Sequence, residues 1–200
     1  MTTPARSLRA DAARNRELLL AAAEEEFVER GLDASIADIA RRAGVAKATV
    51  FRHFATKEEL IAAIVGSHFS ALTAVARGLL ESADPGAALL EFLTVAADGL
   101  QQQDLTFLQT ASEGDSTVIA LRDELHATVD SLVERARDAG AVRPDITGTD
   151  VFVLICAPVH AAGFLLQPAP DMWRRYLGII FDGLRPEGAT PLPLPAPSWS

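Results

Sequence analysis

A run of basic side chains between Ile39 and Lys57 is the part of this sequence with the clearest chemistry. Five Lys or Arg residues and one His fall in that segment, and no Asp or Glu interrupts them, although the whole chain has a formal net charge of -9. A local cationic surface on an acidic chain indicates binding to phosphate. The basic residues are Arg41, Arg42, Lys47, Arg52, His53 and Lys57.

The first of two short predicted helices positions the start of this run. Ser35 can cap its N-terminus through the hydroxyl group. Ile36, Ile39 and Ala40 then follow at the spacing that places apolar side chains on one side of a helix. Gly44 comes directly afterwards, and glycine most easily takes the left-handed conformation that ends a helix.

A second short helix is predicted at about residues 46–54. Val45, Val50 and Phe54 would face the first helix, which leaves the polar residues between them mostly outward. Residues 56–59 (TKEE) have the pattern of a capping box, so another helix begins just after Phe54. Two short helices joined by a glycine turn and flanked by longer helices predict a helix-turn-helix, whose second helix enters the major groove of DNA. The alternative is a helical hairpin with a solvated charged surface.

The segment FVERGLDASIADIARRAGVAKATVFRHFATKEELIAAI resembles the DNA-binding domain of the tetracycline-repressor (TetR) family, and the resemblance covers about residues 10–65. Three positions depart from the usual pattern of the family. Ala46 stands where a Ser is usual, Ala48 where a Gly is usual, and Phe51 where a Tyr is usual. Phe51 lacks the phenolic hydroxyl that the resemblance would otherwise imply for a phosphate contact. More of the phosphate binding should therefore fall on Ser35, Thr56 and Lys57.

The resemblance implies a homodimer that binds a double-stranded, pseudo-palindromic operator, and a small-molecule effector that releases it. A looser resemblance to the regulatory domain of an actinobacterial-type subgroup lies in ALLEFL, RARDAGAVRPDI and WRRYLGIIFDGLRP. The candidate base contacts come from the second short helix, with Thr and Lys residues at helix N-termini placed for phosphate. The predicted DNA contacts are Ser35, Arg42, Ala46, Lys47, Ala48, Thr49, Phe51, Arg52, His53, Thr56 and Lys57.

Composition indicates an all-α fold. Of the 200 residues, 49% are hydrophobic, and Ala and Leu dominate over β-branched runs. About nine helices are predicted: a three-helix helix-turn-helix domain joined to a larger helical ligand-binding and dimerisation domain. The single cysteine, Cys156, fits a reducing cytosol and a cytoplasmic protein. The predicted division is a disordered arm at 1–10, the DNA-binding domain at 11–65, the helical domain at 66–185 and a proline-rich disordered tail at 186–200.

The charge divides along the same boundary. Residues 1–60 contain ten Lys or Arg and ten Asp or Glu, whereas residues 61–200 contain eight and seventeen. The acidic excess therefore belongs to the larger domain, and a run of three glutamates at 24–26 on the first helix is interpreted as a solvated surface.

The last two predicted helices, at 150–167 and 171–184, indicate a dimer interface. The first is apolar on nearly every side, and a helix of that kind must be covered all round. Its apolar run is too short for a comfortable membrane span, and Pro158 and His160 interrupt it, so no membrane segment is predicted. A partner subunit is the natural cover. The predicted interface residues are Val159, Gly163, Trp173, Tyr176 and Ile180.

An effector pocket is predicted in the larger domain, because aromatic side chains recur there among a few polar groups. An ordinary hydrophobic core is the alternative for each of these residues. The pattern favours a mainly apolar or amphipathic small molecule. The candidate lining residues are Phe69, Leu72, Phe92, Ala96, Phe107, Thr110, His126, Phe152 and Cys156.

No catalytic residue, cofactor or metal site is predicted, and the chain is not expected to be an enzyme. It contains no G-x-S-x-G, no phosphate-binding glycine loop and no H-E-x-x-H. His68, His126 and His160 lie on three predicted helices without a ligand spacing motif. Other functions left open are a transcriptional activator, a DNA-binding protein without ligand control, a helical small-molecule binder that has lost its DNA function, and, more distantly, a helical enzyme.

Overall fold

A computed structural model describes residues 4–102, 106–162 and 169–196, with side chains described from residue 14 onward and up to 161 in the second range. Nine α-helices and no strand occur in these ranges, which confirms the predicted all-α class. The helices are α1 (Pro4–Arg30), α2 (Ile36–Arg42), α3 (Lys47–His53), α4 (Lys57–Leu79), α5 (Pro85–Gln102), α6 (Thr106–Ala111), α7 (Ser116–Asp138), α8 (Gly148–Ala162) and α9 (Met172–Gly183).

Helix α1 begins at Pro4, so residues 4–10, which were predicted as a disordered arm, are helical. Proline is well tolerated at the first helical position because its missing N–H has no partner there in any helix. The Ala, Arg and Leu residues that follow all favour helix. Residues 1–3 of the predicted arm lie outside the described residues.

The chain forms two compact units. We call residues 1–68 with 104–119 the head unit, and residues 69–103 with 120–200 the body unit. Both units contain part of α4, which is continuous from Lys57 to Leu79.

The core of the head unit joins α1, α2, α3 and the start of α4. Phe27, Ile39 and Val50 have no exposed surface, and Phe54 and Leu60 are buried beside them. Complete burial of each such side chain contributes about 1.5–3 kcal/mol relative to an exposed one. This core fixes the orientation of α3, because Val50 and Phe54 occupy its inner side.

The body unit packs α5, α8 and α9 together. On α9, Trp173, Leu177 and Phe181 recur every four residues and are all buried. Trp173 is only 1% exposed in the single chain. It therefore belongs to the protomer's own core, and its prediction as a dimer contact was wrong because spacing alone does not tell which side of an amphipathic helix faces inward.

The segment after α9 is anchored at one point. Residues 184–196 are non-helical and mostly exposed, and they include the start of the segment at 186–200 that was predicted to be a disordered tail. However, Arg143 is buried and donates to the backbone oxygen of Thr190 at 2.5 Å and to both carboxylate oxygens of Asp145. The hydrogen bonds from Arg143 lower the pKa of Asp145. The start of the predicted tail is thus held against the body unit.

Helix α4 is the one described helix that is long and apolar enough, by length and composition alone, to cross a membrane. Its apolar residues Leu60, Ile61 and Ile64 are buried in the head-unit core. A core helix has the same apolar length and composition.

Candidate nucleic-acid interface

The turn between α2 and α3 has the geometry predicted from Gly44. Its φ is +67°, in the left-handed region that favours glycine. The Val45 N–H donates to the Ala40 carbonyl at 3.0 Å, which closes the C-terminus of α2. At the other end of α2, the Ser35 hydroxyl accepts from the Asp38 N–H at 3.2 Å, so the predicted cap is confirmed.

The capping box at the start of α4 is also present. The Thr56 hydroxyl accepts from the Glu59 N–H at 3.1 Å, and a Glu59 carboxylate oxygen accepts from the Ala55 N–H at 2.7 Å. The first bond satisfies a donor that a helix N-terminus leaves without a partner, and the second ties the residue before the Thr56 cap to the first turn of α4. Helix α4 therefore begins at a defined angle immediately after α3.

The outer side of α3 carries two pairs of side chains that are in contact. The Lys47 ammonium lies over the Phe51 ring, 5.7 Å from its centroid. The Arg52 guanidinium donates to the Thr49 hydroxyl at 3.1 Å. Phe51 is 45% exposed, so its ring is available for contact with a partner although it lacks a hydroxyl.

The remaining predicted contacts on this segment have simpler positions. Ala46 is the cap residue of α3 and is exposed, as is Ala48, so both methyl groups are accessible. His53 is half-buried with its ring 6.3 Å from that of Phe54. Ser35 and Thr56 are exposed, and their hydroxyl oxygens accept the hydrogen bonds that cap α2 and α4.

Arg42 is not arranged as a phosphate contact. Its guanidinium donates to Glu26 at 2.8 Å, to Glu25 at 3.0 Å and to Glu29 at 2.5 Å, all of them on α1. These hydrogen bonds raise the pKa of Arg42 further above its ordinary value. The prediction that placed Arg42 on DNA is therefore corrected, because three carboxylates of a helix distant in sequence already neutralise it.

The glutamate run at 24–26 is likewise not a simple solvated surface. Glu26 is buried and binds Arg42, with Arg30 Nε 3.3 Å from its second oxygen. Glu24 lies 3.0 Å from the His68 Nε2 atom on α4. Arg42 and His68 could not be predicted as partners from local spacing, because they lie 16 and 44 residues from Glu26 and Glu24. Arg30 is four residues from Glu26, and opposite charges at that spacing on one helix were the available signal.

A second ion-pair cluster lies at the N-terminus of α2. Asp38 receives a hydrogen bond from the Ser35 hydroxyl at 2.6 Å and from Arg41 at 2.6 Å, and Arg30 lies 3.2 Å away. These contacts, led by that of Ser35, lower the pKa of Asp38 to about 2. Arg41 is therefore also paired with an acid.

The Lys and Arg side chains of residues 30–57 thus fall into two groups. Arg30, Arg41 and Arg42 are bound to carboxylates between α1 and α2. Within residues 14–102, 106–161 and 169–196, no carboxylate lies within ion-pairing distance of three further cations. These three are Lys47, Arg52 and Lys57. Within residues 30–57, positive charge without an internal counter-ion is therefore concentrated on α3 and at the start of α4. On α1, Arg16 carries a further charge that no described carboxylate pairs with, and it lies over the Phe54 ring, 5.1 Å from its centroid.

Lys57 is held in place by uncharged groups. Its ammonium donates to the backbone oxygen of Leu32 and lies 5.6 Å from the centroid of the Phe27 ring. Neither contact neutralises the charge. The ammonium keeps further donors for a phosphate.

The predicted effector-pocket residues are divided between the two units. Phe107 and Thr110 lie on α6 in the head unit, whereas the other seven belong to the body unit. Phe69, Phe92 and Ala96 are buried, and Leu72 and Cys156 are half-buried. The seven body-unit residues are therefore described by themselves as candidate lining.

His126 and Phe152 do come together. Their rings are stacked with centroids 5.6 Å apart. The two ring nitrogens of His126 lie 3.1 Å from a Thr149 hydroxyl and 3.1 Å from an Asp130 carboxylate oxygen. Asp130 also accepts from the Gly148 N–H at 2.8 Å, which ties α7 to the start of α8.

A surface cavity of about 390 Å³ lies elsewhere in the body unit, and the predicted pocket residues do not line it. Its walls include Leu90, Ala141, Phe181 and Arg185. Among the described residues, no group of three or more His, Cys, Asp or Glu side chains is arranged to bind a metal ion.

Two family models match the chain. The model described as "Bacterial regulatory proteins, tetR family" matches residues 19–64, and the model described as "Transcriptional regulator SbtR-like, C-terminal domain" matches residues 84–186, more than half of the chain. A solved TetR transcription regulatory protein from Mycobacterium vanbaalenii is 32% identical, with 89% of this chain and 99% of that chain covered and a TM-score of 0.61. The chain belongs to the TetR family.

Curated TetR-family relatives match over the helix-turn-helix region. The repressor BepR of Brucella suis is 40% identical over 62 residues, which are 30% of each chain. The activator FasR of Mycolicibacterium smegmatis is 43% identical over 65 residues, 32% of this chain and 30% of that protein. The chain spans about a third of the length of these two relatives. Members of the family are DNA-binding transcriptional regulators, not enzymes.

Proposed function

We propose that this protein is a ligand-responsive transcriptional repressor. It binds a pseudo-palindromic operator as a homodimer in the cytoplasm and is released by a small apolar or amphipathic effector. The observation that carries the DNA-binding part is the separation of charge in the head unit. Arg41 and Arg42 are paired with carboxylates of α2 and α1, whereas Lys47, Arg52 and Lys57 keep their charge on α3 and at the start of α4.

The proposed DNA-binding domain is residues 11–65, with α3 in the major groove. The buried side of α3 is held by Val50 and Phe54, so its opposite side must face the partner. Side chains on that side can reach base edges, and the methyl groups of Ala46 and Ala48 can contact thymine. Lys57, together with the start of α4 at Thr56, supplies contacts to the phosphate backbone.

A homodimer is needed because one short helix reads only a few base pairs. Its proposed interface is the outer side of α8 and α9 in the helical domain at 66–185. Val153 on α8 is 61% exposed and Ile179 on α9 is 56% exposed in the single chain. Of the residues expected there, Val159, Tyr176 and Ile180 are half-buried, and Gly163 lies outside the described residues.

Effector control is proposed to operate through the population of two conformations. Helix α4 contributes to both units, so its position can couple an effector in the body unit to the spacing of two DNA-binding heads. Effector and operator must then weaken each other's binding by the same factor, typically about 1–3 kcal/mol. The half-buried Leu72, Phe152 and Cys156, with the polar groups of His126 nearby, support an effector that is mainly apolar.

Activation of transcription is the second candidate. The helix-turn-helix region is as similar to that of the activator FasR, at 43% identity over 65 residues, as to that of the repressor BepR. The DNA-binding head is compatible with either sign of regulation. A transcription assay with and without the protein, on a promoter that contains its operator, separates the two by the direction of the change.

The proposed function is tested by selection of bound duplexes from a random DNA pool. A pseudo-palindromic consensus is expected. In a second step, members of a small-molecule library are tested for the ability to displace the protein from the selected operator. Failure to enrich any sequence would refute operator recognition. If a compound occupies the body unit, as shown by a rise in its melting temperature, without changing operator affinity, effector control is refuted.

A further inference from the structure

The hydrogen bond between Arg52 and Thr49 distinguishes Arg52 from the other cations of the head unit. One terminal nitrogen of the guanidinium donates to the Thr49 hydroxyl at 3.1 Å, three residues earlier on α3. Arg52 is exposed, and no carboxylate within the described side chains pairs with it. Thr49 is half-buried and β-branched, so its hydroxyl has few rotamers and is a stiff anchor.

This contact leaves the guanidinium oriented and still able to donate. A guanidinium carries five N–H donors in one plane, and Thr49 accepts only one of them. Two parallel donors remain for a bidentate partner. In the major groove, the partner that fits such a planar fork is guanine, through its O6 and N7 acceptors.

The neighbouring side chains favour a close approach to base edges. Ala48 lies four residues before Arg52, so both are on the same side of α3. Its side chain is a single exposed methyl group, which does not hold the helix away from the groove floor. Lys47, by contrast, is a flexible point charge over the Phe51 ring and has no planar fork.

We infer that Arg52 selects a G·C pair in each operator half-site and that Thr49 is the positioning residue that orients its guanidinium. The inference rests on the proposed function, because it requires α3 to lie in the major groove. A phosphate contact by Arg52 is the competing role. It would contribute affinity without sequence preference and would be retained by lysine.

The test repeats selection from a random duplex pool with the full-length wild-type chain and with Arg52→Lys, Thr49→Val and Thr49→Ser. The wild type should enrich one G per half-site. Replacement of that G in the selected operator should weaken wild-type binding by about 5- to 140-fold, as expected for a bidentate arginine–guanine contact. Arg52→Lys should weaken this preference, because an ammonium lacks the planar fork, while nonspecific affinity and the salt dependence stay nearly unchanged.

The Thr49 variants separate positioning from folding. Thr49→Val keeps the branched shape but removes the acceptor, so the penalty for replacing the G should shrink. Thr49→Ser restores an acceptor and should restore most of that penalty. Equal penalties for replacing the G in the wild type, Thr49→Val and Thr49→Ser would show that the Thr49 hydroxyl does not orient Arg52. That result would overturn the positioning role.

Three results would overturn the role of Arg52. The first is a wild-type consensus without a G in the half-site, and the second is a G preference that is as strong in Arg52→Lys as in the wild type. The third uses one further variant, Arg52→Met: it is an equal weakening of binding to all sequences in Arg52→Met, with full affinity in Arg52→Lys. The last result would assign Arg52 to phosphate. Failure of the wild type to enrich any sequence would instead contradict the proposed function itself, so the two failures are distinguishable.

Discussion

The Nε atom of Arg42 donates to a carboxylate oxygen of Glu26 at 2.8 Å and thereby joins α2 to α1. Glu26 is 2% exposed, and the same guanidinium also holds the more exposed Glu25 and Glu29. An arginine in the basic run is therefore an internal support of the helix-turn-helix. Because Arg42 is occupied by these carboxylates, we expect residues on α3 and at the start of α4 to bind phosphate instead.

Replacement of Arg42 should destabilise the chain without changing its ionic contacts to DNA. Arg42→Ala would leave Glu26 buried without its main partner, which is costly for a carboxylate. Arg42→Lys keeps the charge but cannot reproduce the planar fork, so it should also lower the melting temperature. The check is thermal unfolding followed by circular dichroism, together with salt-titrated DNA binding by the folded protein.

The slope of log affinity against log salt concentration should be the same for wild type and Arg42→Lys. Arg41→Ala is a control for the loss of one arginine from the same helix, because Arg41 is exposed and pairs only with Asp38 in the described part of the chain. A shallower slope for Arg42→Ala that Arg42→Lys restores would contradict the internal role.

Lys57→Met should weaken binding to all DNA sequences by a similar factor. Each lysine–phosphate contact contributes roughly one unit to the salt slope, so a dimer that lacks both Lys57 side chains should lose about two units. Thr49→Ala should instead reduce the preference for the operator over random DNA. Loss of affinity by equal factors on operator and random DNA in both variants would contradict this division.

Acid should destabilise the head unit through Asp38. Its pKa is lowered to about 2 in the folded chain, below the ordinary aspartate value of about 3.9. The pKa of Asp38 is lower in the folded chain than in the unfolded chain, so ionised Asp38 stabilises the fold. This stabilisation is complete above about pH 5 and is lost as the pH falls through about 4 towards 2. Asp38→Asn should therefore show a flatter decline of melting temperature over that range.

Asn at position 38 keeps the shape of Asp38 but has no carboxylate to titrate. The variant should consequently be less stable than wild type at pH 7 and closer to it at pH 3. Parallel curves for the two proteins between pH 5 and pH 2 would show that Asp38 does not contribute to the acid sensitivity.

Introduction of charge on the outer side of α8 should dissociate the proposed homodimer. Val153→Asp places a carboxylate at a position that is 61% exposed in the single chain, so the isolated protomer should fold normally. The mass measured by sedimentation or light scattering should fall from that of a dimer to that of a monomer, and operator binding should weaken. Leu194→Asp is the matched control, since Leu194 is 76% exposed on the segment after α9. A dimer that persists in Val153→Asp would exclude this interface.

Local features of the helix-turn-helix could be predicted from the sequence because their partners are a few residues apart. The Ser35 cap, the Gly44 turn and the Thr56–Glu59 box depend on side chains and backbone within one or two helical turns. Such contacts have the same geometry in most proteins, so residue type and spacing were sufficient.

Contacts between distant segments could not be predicted in the same way. Arg42 was a reasonable phosphate ligand until the structure placed it beside α1, 13 to 17 residues earlier. Trp173 was placed on the outer side of α9 because the sequence shows the period of a helix but not which neighbour covers each side. The effector-pocket residues share this difficulty, since aromatic residues on helical spacing form a core as readily as a cavity.

The most direct test of sequence recognition by α3 compares wild-type binding to a selected operator duplex with binding to a scrambled duplex of equal length and composition. Both affinities should be measured by fluorescence anisotropy at one fixed salt concentration near physiological. The operator should bind about 1,000-fold more tightly or better, as is typical of specific DNA-binding proteins, and Arg52→Lys should lose part of this preference. Equal affinity for the two duplexes would contradict the assignment of α3 as a reader of DNA sequence.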